Sequence, residues 1–241
     1  MAVNIRPYII INGMDSRLIE GLIITQLPKI TKPKMRVTVE EIDGRAGDIV
    51  TELGFSAYDK TFSIGLFGQY NVDDIITYLN TSGKITFSNE PEKYYNFALY
   101  NQIDFEKLLR YKTAEVTMHC QPFKYSLSET EKTFSFSSVS SGSFQIRNNG
   151  NIYSKPRLTI RGSGDVNISI NDAQVLSITL GADQTIIIDS FEMNAYGLDG
   201  AFLNRQVVGD YDNIKLNVGK NTISFVGDIT EIAVKNYSRW I

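Results

Sequence analysis

The strongest catalytic candidates in this sequence are its single histidine and its single cysteine, which are neighbours: His119 and Cys120. A cysteine–histidine nucleophile needs the two side chains within hydrogen-bonding reach, whereas adjacent residues on a β-strand point to opposite faces. We therefore expect His119 to be a structural residue on a long strand. Two such residues are too few for a structural zinc site, and no Ser-His-Asp triad can be assembled beyond the same histidine. The lone cysteine also excludes an internal disulfide and fits a reducing compartment.

Carboxylates and glycine-rich segments offer little further chemistry. Residues 43–47 (DGRAG) and 162–165 (GSGD) are rich in glycine, but neither precedes a helical pattern, which a phosphate-binding loop requires. We interpret both as turns. Residues 197–212 hold three aspartates, but their spacing differs from the common calcium loop, so a solvated loop is favoured over calcium binding. The sequence therefore predicts no catalytic residue, no cofactor and no metal site.

Composition and charge exclude several classes of function. The net charge is −3; Lys and Arg number 14 against 16 Asp and Glu in residues 1–130, and 10 against 11 in residues 131–241. Neither half has the basic excess that sequence-independent nucleic-acid binding requires. No apolar run reaches the roughly 18 residues of a membrane span, and residues 1–7 lack the apolar core of a secretory signal. Thirteen Tyr, thirteen Phe and abundant Thr, Ile and Ser favour strands.

The N-terminal half has the pattern of a β-domain. Apolar and β-branched runs predict strands within 4–13, 18–30, 34–42, 54–68, 84–87, 94–103 and 111–123. In one of these runs, Met35, Val37 and Val39 alternate with polar residues, which predicts a half-buried strand. Residues 43–48 follow it as a turn or loop.

One helix is predicted in this half, directly after Asn71. Asn71 can cap it, and Asp73 and Asp74 lie in its first turn, where the helix dipole favours negative charge. Its apolar side chains share one face: Val72, Ile75, Ile76 and Leu79. The helix is expected to end in residues 80–83 (NTSG).

The serine-rich residues 135–143 (SFSSVSSGS) are the only low-complexity stretch and indicate a domain boundary, giving domains 1–130 and 131–241. Beyond them, short apolar runs predict eight strands: 144–147, 156–161, 166–170, 174–180, 184–189, 213–217, 221–226 and 230–236. Gly, Asn and Asp predict the breaks between them, at 162–165, 171–172, 181–183, 209–213 and 219–221. This pattern is typical of a β-sandwich or jelly roll. Residues 211–241 are expected to form three short strands that dock the C-terminus.

Aromatic residues are concentrated in two short segments: Tyr94, Tyr95, Phe97 and Tyr100, then Phe123 and Tyr125. Such residues can stack on sugars or bases. More often they cover a sheet face or a subunit interface, where tyrosine is enriched. We expect core or interface roles here.

Several short motifs occur in the order found in one known family. The first half holds DGRAG at 43–47 and a long strand that ends in a C-x-P-F-x-Y motif. The second half continues in this order: Asn149-Gly150-Asn151, I-x-G-x-G at 160–164, I-x-I-N at 168–171, IIID at 186–189, GDY at 209–211, Gly219, Asn221 and Ile223 in a G-x-N-x-I ending, Gly227, and Arg239-Trp240. This order resembles the distal tail (Dit) proteins of long-tailed phages. The first motif usually reads G-R-D-G in that family, so Ala46 departs at the acidic position.

The resemblance implies an all-β protein with one short helix, an N-terminal β-sandwich that forms a hexameric ring, and a C-terminal galectin-like β-sandwich. It implies a structural hub of the phage tail tip without enzymatic activity or membrane insertion. The implied partners are the tail-tube protein, the tail-tip or tail-associated protein, and receptor-binding or baseplate proteins. DNA would cross the lumen without specific binding. The protein would be assembled in the host cytoplasm and reside in the virion.

Two other functions stay open at this point. The C-terminal sandwich could be a carbohydrate-binding module for the host cell wall, and a glycan-cleaving enzyme would need two positioned carboxylates, for which we can nominate no pair. Trp240, the only tryptophan, is more consistent with an anchor than with a sugar platform.

We predict that the C-terminal domain does not bind simple sugars tightly, because it offers no exposed tryptophan with polar neighbours apart from Trp240. Calorimetry with galactosides and wall-derived saccharides should give dissociation constants no tighter than about 1 mM, near −4 kcal/mol. A micromolar constant would instead support the carbohydrate-binding module.

Overall fold

The computed structural model describes residues 6–137 and 139–241, which divide into two compact units. One unit is Met1–Leu127 with Ile241, and the other is Ser128–Trp240. The chain is predominantly β, as the sequence predicted. The assignment of residues 1–130 and 131–241 to two domains stays a prediction. Residues 4 and 5 of the first predicted strand, and Ser138 of the serine-rich stretch, lie outside the described residues.

The N-terminal unit contains nine strands and two α-helices in its described part. In chain order they are β1 (Ile9–Ile11), β2 (Met14–Asp15), β3 (Leu22–Gln26), β4 (Met35–Glu41), β5 (Asp48–Phe55), β6 (Tyr58–Leu66), α1 (Val72–Leu79), β7 (Ser82–Phe87), β8 (Lys93–Ala98), α2 (Phe105–Tyr111) and β9 (Thr113–Ser126). A short 3₁₀ helix spans Ser16–Leu18.

The main sheet of this unit is antiparallel, with the strand order β2-β1-β7-β8-β9-β6-β3. Alternate residues of β6 and β9 point inward, so Phe62, Ile64, Val116 and Met118 are almost fully buried. These side chains form one hydrophobic core with the inner faces of β1, β3, β7 and β8. β4 and β5 pair with each other in a separate two-stranded sheet.

Helix α1 confirms the predicted helix. The Asn71 side chain accepts a hydrogen bond from the Asp73 backbone N–H at 3.0 Å, which satisfies a donor that the helix leaves free. Ile75 and Leu79 are buried in the core of this unit.

The second helix, α2, was not predicted. Asp104 caps it by accepting from the Lys107 backbone N–H at 2.8 Å. Leu108 is fully buried, so the helix is held by packing as well as by its cap. Only seven residues form it, and a run this short shows no clear helical period in the sequence.

The C-terminal unit contains eight strands in its described part. They are β10 (Lys132–Ser135), β11 (Ser141–Asn148), β12 (Arg157–Ile170), β13 (Ala173–Asp189), β14 (Asn194–Tyr196), β15 (Val207–Gly209), β16 (Gly219–Lys235) and β17 (Arg239–Trp240). Two 3₁₀ helices, Asn204–Gln206 and Tyr211–Asn213, lie in the connections. The central order is β10-β16-β12-β13-β14, and β11 and β15 pair with the remaining lengths of β16 and β13.

The prediction of eight short strands placed several of the strand boundaries wrongly. Six of them are halves of three long strands: β12 and β13 continue through the predicted breaks at 162–165 and 181–183, and β16 continues through Gly227. The pairing shifts register near these points instead of ending, which is the signature of β-bulges. A Cβ at Gly162 would lie 2.2 Å from the Asp228 carbonyl oxygen, so glycine there permits a close approach of strands, not a turn.

Other predicted boundaries also changed in this unit. Residues 213–217 are not a strand, although Ile214 and Leu216 are fully buried; β16 already begins at Gly219, where a turn was predicted. The predicted turn at 171–172 is confirmed, with Asn171 and Asp172 both at positive φ. The serine-rich stretch connects β10 to β11, which both pair with β16.

The C-terminal segment docks onto the C-terminal unit, as predicted. The Ser238 backbone N–H and hydroxyl donate to the two carboxylate oxygens of Glu129. The Arg239 Nε–H donates to the Tyr153 carbonyl at 2.7 Å, and its guanidinium lies 4.5 Å from the centre of the Tyr153 ring. A Cβ at Gly150 would meet the Arg239 carbonyl at 2.1 Å, so glycine is required there for the close contact.

We expect limited proteolysis to cut first within residues 128–143, because the β10–β11 connection is exposed and rich in small polar residues. Fragment masses after brief digestion measure the cut position. Since β10 stays paired with β16, the nicked protein should separate only on denaturation. A first cut within 197–212, with 128–143 resistant, would contradict this expectation.

Candidate interaction surfaces

The catalytic candidates His119 and Cys120 point to opposite faces of β9. Cys120 is fully buried, and burial raises the pKa of its thiol to about 12. His119 lies on the outer face, where its Nδ1 is 2.9 Å from the Asp59 Oδ1 directly opposite on β6. The cysteine therefore has no thiolate character at neutral pH and no contact with an imidazole base.

The glycine-rich and aspartate-rich segments have structural roles. Residues 43–47 form the tip of the β4–β5 hairpin, so this predicted turn is confirmed, whereas 162–165 lie within β12. In the third segment, Asp199 and Asp210 accept hydrogen bonds from backbone N–H groups two residues ahead, and Asp212 forms an ion pair with Lys155 at 2.8 Å. Across 6–137 and 139–241, no three His, Cys, Asp or Glu side chains converge as a metal-ligand set.

The aromatic segment around residues 94–100 divides between core and surface. Tyr95 and Phe97 are buried in the core of the N-terminal unit. Tyr94 stacks on Tyr125 across the strand pair, with ring centres 5.6 Å apart. Tyr100 is exposed, beside His119 at a ring separation of 5.8 Å. Most of this segment therefore supports the sheet and does not form a stacking platform.

A lysine is buried in the same core without a carboxylate in bonding contact. Lys60 is only 4% exposed, its Nζ donates to the Lys29 carbonyl at 2.9 Å, and the same atom lies 5.0 Å from the ring centres of Tyr58 and Tyr95. Burial lowers the pKa of Lys60. The sequence carried a signal for this position, because Lys60 alternates in phase with the inward-facing Phe62.

A second buried lysine is paired. Lys124 is 7% exposed, and its Nζ lies 2.9 Å from Glu90 Oε1. Lys93 approaches the same carboxylate at 3.7 Å, and the Tyr95 hydroxyl donates to its other oxygen at 3.4 Å. This carboxylate is therefore well compensated, and the cluster has the character of a structural ion pair.

The β4–β5 hairpin, residues 35–55, is an exposed arm (the hairpin arm). Five of its large apolar side chains are between 41% and 57% exposed: Val37, Val39, Ile42, Val50 and Leu53. The prediction that β4 is half-buried was wrong. The alternation is real, but the strand pairs only with β5 among the described residues, and no element of its own unit covers the apolar face.

One face of the hairpin arm combines valines with carboxylates. The register places Val39 opposite Val50 and Val37 opposite Glu52, and the next pair on the same face is Glu41 opposite Asp48. Two like charges directly opposite each other on a strand pair are destabilising. The whole arm carries five acidic and two basic residues, which accounts for a charge of −3.

A second exposed apolar region lies at one end of the main sheet of the N-terminal unit. β3 and β9 begin there and β6 ends there, since Gly21 O accepts from Phe67 N at 2.9 Å and Lys112 O accepts from Leu66 N at 3.1 Å. Four large side chains from these connections are between 41% and 79% exposed (the end patch): Leu18, Phe67, Leu109 and Tyr111.

Basic side chains accompany the end patch. Arg17 precedes Leu18, Lys107 and Arg110 lie on α2, and Lys112 caps its C-terminal end, where its Nζ donates to Tyr70 at 2.6 Å. The acidic residues of the same segments are Asp15, Glu20, Asp104 and Glu106. Asp15 is bound to Arg17, and Asp104 caps the opposite end of α2. Sequence reasoning missed this patch, since its members come from three separate connections.

No helix in the described parts of the chain is long and apolar enough to cross a membrane.

The two-unit β architecture is that of the phage distal tail proteins, so the resemblance in the sequence motifs is confirmed at the level of the fold. The structure that shows this is the Dit protein of phage SPP1, described as a hub of the adsorption apparatus in phages that infect Gram-positive bacteria. It matches 95% of this chain and 98% of its own with a TM-score of 0.67 at 16% sequence identity.

Weaker likenesses extend to the baseplate of phage P2 in its activated conformation, solved with calcium and with strontium. The TM-scores are 0.46 and 0.45 at 12% and 11% identity, each covering 95% of this chain and 97% of the other. No protein-family profile and no curated protein sequence matches the chain.

Proposed function

We propose that this protein is a structural hub of a phage tail tip, in which copies of the chain form a hexameric ring between the tail tube and the tail-tip or baseplate apparatus. The observation that carries the proposal is the likeness to the SPP1 hub protein, which extends over both units and nearly the whole of both chains. A shared fold alone does not establish a function. Features of this chain must therefore support the same conclusion.

The hairpin arm provides one such feature. A two-stranded ribbon is marginally stable alone in water, and its apolar face is exposed along both strands. Exposed apolar surface of this kind marks a site of protein association. A chain with a protruding arm and a separate exposed patch offers two different surfaces, which is what a closed ring of identical subunits requires.

Charge and chemistry agree with a structural role. The near-balance of basic and acidic side chains in both halves suits a lumen that lets DNA pass without gripping it. His119 and Cys120 are separated by the sheet and the thiol is protonated, so a cysteine–histidine reaction has no basis in this geometry. The tail-tube protein and a tail-tip protein are the expected partners, with a location in the virion tail.

Native mass spectrometry of the purified chain tests the proposal. Six copies of the 27.1 kDa chain should give a species of about 163 kDa, formed alone or on a tail-tube template. Electron microscopy of the same sample should show a ring with a central opening. A chain that stays monomeric under both conditions would remove the hub proposal.

We predict that residues 1–130 carry ring assembly. The N-terminal unit holds both the hairpin arm and the end patch. A shortened chain ending at residue 130 should still assemble, and one beginning at residue 128 should stay monomeric, both measured by native mass spectrometry. Assembly of the second fragment with the first monomeric, even beside a tail-tube protein, would place the ring contacts in the other unit.

A further inference from the structure

A groove of about 490 Å³ lies in the N-terminal unit, between helix α1, the β1–β2 hairpin and the residues that precede β3 (the acidic groove). Its apolar lining comes from Ile11, Met14, Leu18 and Ile19. The charged residues of the lining are Glu20 and Asp74, and no basic side chain lines the groove among the described residues. Neither carboxylate forms an ion pair within 6–137 and 139–241. The acidic groove therefore suits an occupant that combines an apolar side chain with positive charge.

The surroundings of the acidic groove preserve its charge and its shape. Helix α1 has two acidic residues in its first turn and no basic residue, and Arg17 of the adjacent 3₁₀ helix is bound to Asp15. The Asn12 side chain fixes the β1–β2 turn, because it accepts from the Lys84 backbone N–H and donates to the Ser82 carbonyl, both at 2.9 Å. A groove with fixed walls loses little conformational entropy when it is occupied.

Residues 28–34 (PKITKPK, the basic segment) have the complementary chemistry. Residues 21–39 contain no acidic residue and four basic ones: Lys29, Lys32, Lys34 and Arg36. Pro28 and Pro33 are buried, and all four residues between them are exposed. Ile30 is the one large apolar side chain among these four, and it is 59% exposed. The basic segment thus presents a single apolar side chain flanked by lysines.

We infer that the basic segment of one copy binds the acidic groove of a second copy. Ile30 would pack against the apolar lining of the groove, and the lysines on either side of it would lie beside Glu20 and Asp74. This contact rests on the proposed ring and assigns residues to one of its interfaces.

The basic segment is held in place before any partner binds. The Lys60 Nζ donates to the Lys29 carbonyl at 2.9 Å, and the Ser56 backbone N–H donates to the Lys34 carbonyl at 2.8 Å. The two buried prolines restrict the backbone further, since proline fixes its own φ. The buried ammonium of Lys60 therefore orders a segment whose side chains stay exposed, and an ordered segment binds with a smaller loss of entropy.

The acidic residues beside the basic segment do not cancel its charge. Asp59 and Glu115 line the cavity next to Lys29. The Asp59 Oδ1 is already 2.9 Å from the His119 Nδ1. Three lysines and one arginine thus outnumber the two carboxylates, so the positive excess of the basic segment is kept.

The positions of segment and groove favour a second copy as the occupant. Leu18 and Glu20 precede β3 and the basic segment follows it, and the five residues of β3 span about 17 Å. Both surfaces are fixed, so one chain cannot place its own segment in its own groove. One chain nevertheless carries both halves of the contact, which favours a second copy over an unrelated partner. The two surfaces differ, so the contact is head-to-tail, the type that a closed ring requires.

Cysteine cross-linking of full-length chains tests the contact directly, because the one native cysteine is buried. An Ile30→Cys chain is mixed with a Leu18→Cys chain under mild oxidation. We expect a disulfide-linked heterodimer of about 54 kDa, twice the 27.1 kDa chain. The matched control replaces Leu18→Cys with Leu198→Cys, a leucine of the C-terminal unit that is 76% exposed against 79% for Leu18. The control mixture should give at least tenfold less product.

Charge reversal provides the second part of the test, measured by native mass spectrometry over a series of concentrations. Glu20→Lys should raise the dissociation constant of assembly at least tenfold, and Lys32→Glu should do the same. A chain with both substitutions should recover most of the loss, because the two charges are exchanged. Lys220→Glu, in the C-terminal unit, is the control and should leave assembly unchanged. Circular dichroism and melting temperature establish that each variant is folded.

The outcomes separate the inference from the proposed function. A wild-type ring whose assembly is unaffected by these reversals, with no heterodimer of the Ile30→Cys and Leu18→Cys chains above the control, overturns the contact and leaves the hub intact. Loss of tail-tube binding with an intact ring would assign the acidic groove to the tube protein and also overturn the inference. A wild-type chain that never assembles overturns both.

Discussion

Replacing Gly21 with alanine is expected to destabilise the N-terminal unit much more than replacing Gly68. The two glycines have the same backbone geometry, with φ values of +72° and +73°. A Cβ at Gly21 would lie 2.2 Å from the Gln69 carbonyl oxygen and 2.5 Å from the Tyr70 Cβ, whereas a Cβ at Gly68 meets nothing within 4 Å. Alanine at Gly68 therefore adds only the strain of an L side chain at positive φ, about 1–2 kcal/mol.

Gly21→Ala must also displace the 66–70 connection, and we expect a total loss of about 4 kcal/mol or more. Native-state hydrogen exchange of the β6 and β9 amides measures the effect within this unit, and amides of β12 in the other unit serve as an internal reference. An equal loss of stability in the two variants would contradict this expectation, since it would mean that residues 66–70 move aside at no cost.

The two buried lysines are expected to respond in opposite directions to substitution by methionine. Lys124→Met leaves the Glu90 carboxylate without its 2.9 Å partner and should destabilise the unit by about 2–3 kcal/mol, moderated by Lys93 at 3.7 Å. Lys60→Met removes a charge that contacts no carboxylate and keeps the apolar stem. The loss of the buried charge should stabilise the unit by about 1 kcal/mol at pH 7. The loss of the hydrogen bond to the Lys29 carbonyl should reduce this gain.

The stabilisation by Lys60→Met should depend on pH in a defined direction. Burial lowers the pKa of Lys60 below its unfolded value of 10.5, so the charged form opposes folding at neutral pH. As the pH rises through the lowered pKa toward 10.5, the folded state holds this lysine neutral and the penalty disappears. Unfolding measured at about pH 7 and about pH 10 should show the advantage of the variant shrinking. An advantage that grows with pH would mean that the charged lysine is stabilising.

Local sequence patterns were sufficient to predict features that depend on residues close together in the chain. The cap at Asn71 and the apolar face of α1 follow from helix geometry, and the inward Val116 and Met118 of β9 follow from the period of a strand. The opposite orientation of His119 and Cys120 follows from the same period. The order of the short motifs along the chain also indicated the fold, because the order in which turns and strands follow one another is part of the fold itself.

The tertiary structure decided what pairs with what. Glycine, aspartate and serine at 162–165 are as suitable for a turn as for a bulge, and only the neighbouring β16 backbone, within 2.2 Å of a Cβ at Gly162, selects the bulge. Likewise, the alternation in β4 predicts an apolar face but not its burial, since burial depends on whether another element covers it. The end patch could not be predicted for the same reason: Leu18, Phe67 and Tyr111 come to the same end of the sheet only when β3, β6 and β9 align. Sequence thus determined faces and caps, which depend on neighbours along the chain, whereas contacts between distant segments depend on the folded backbone.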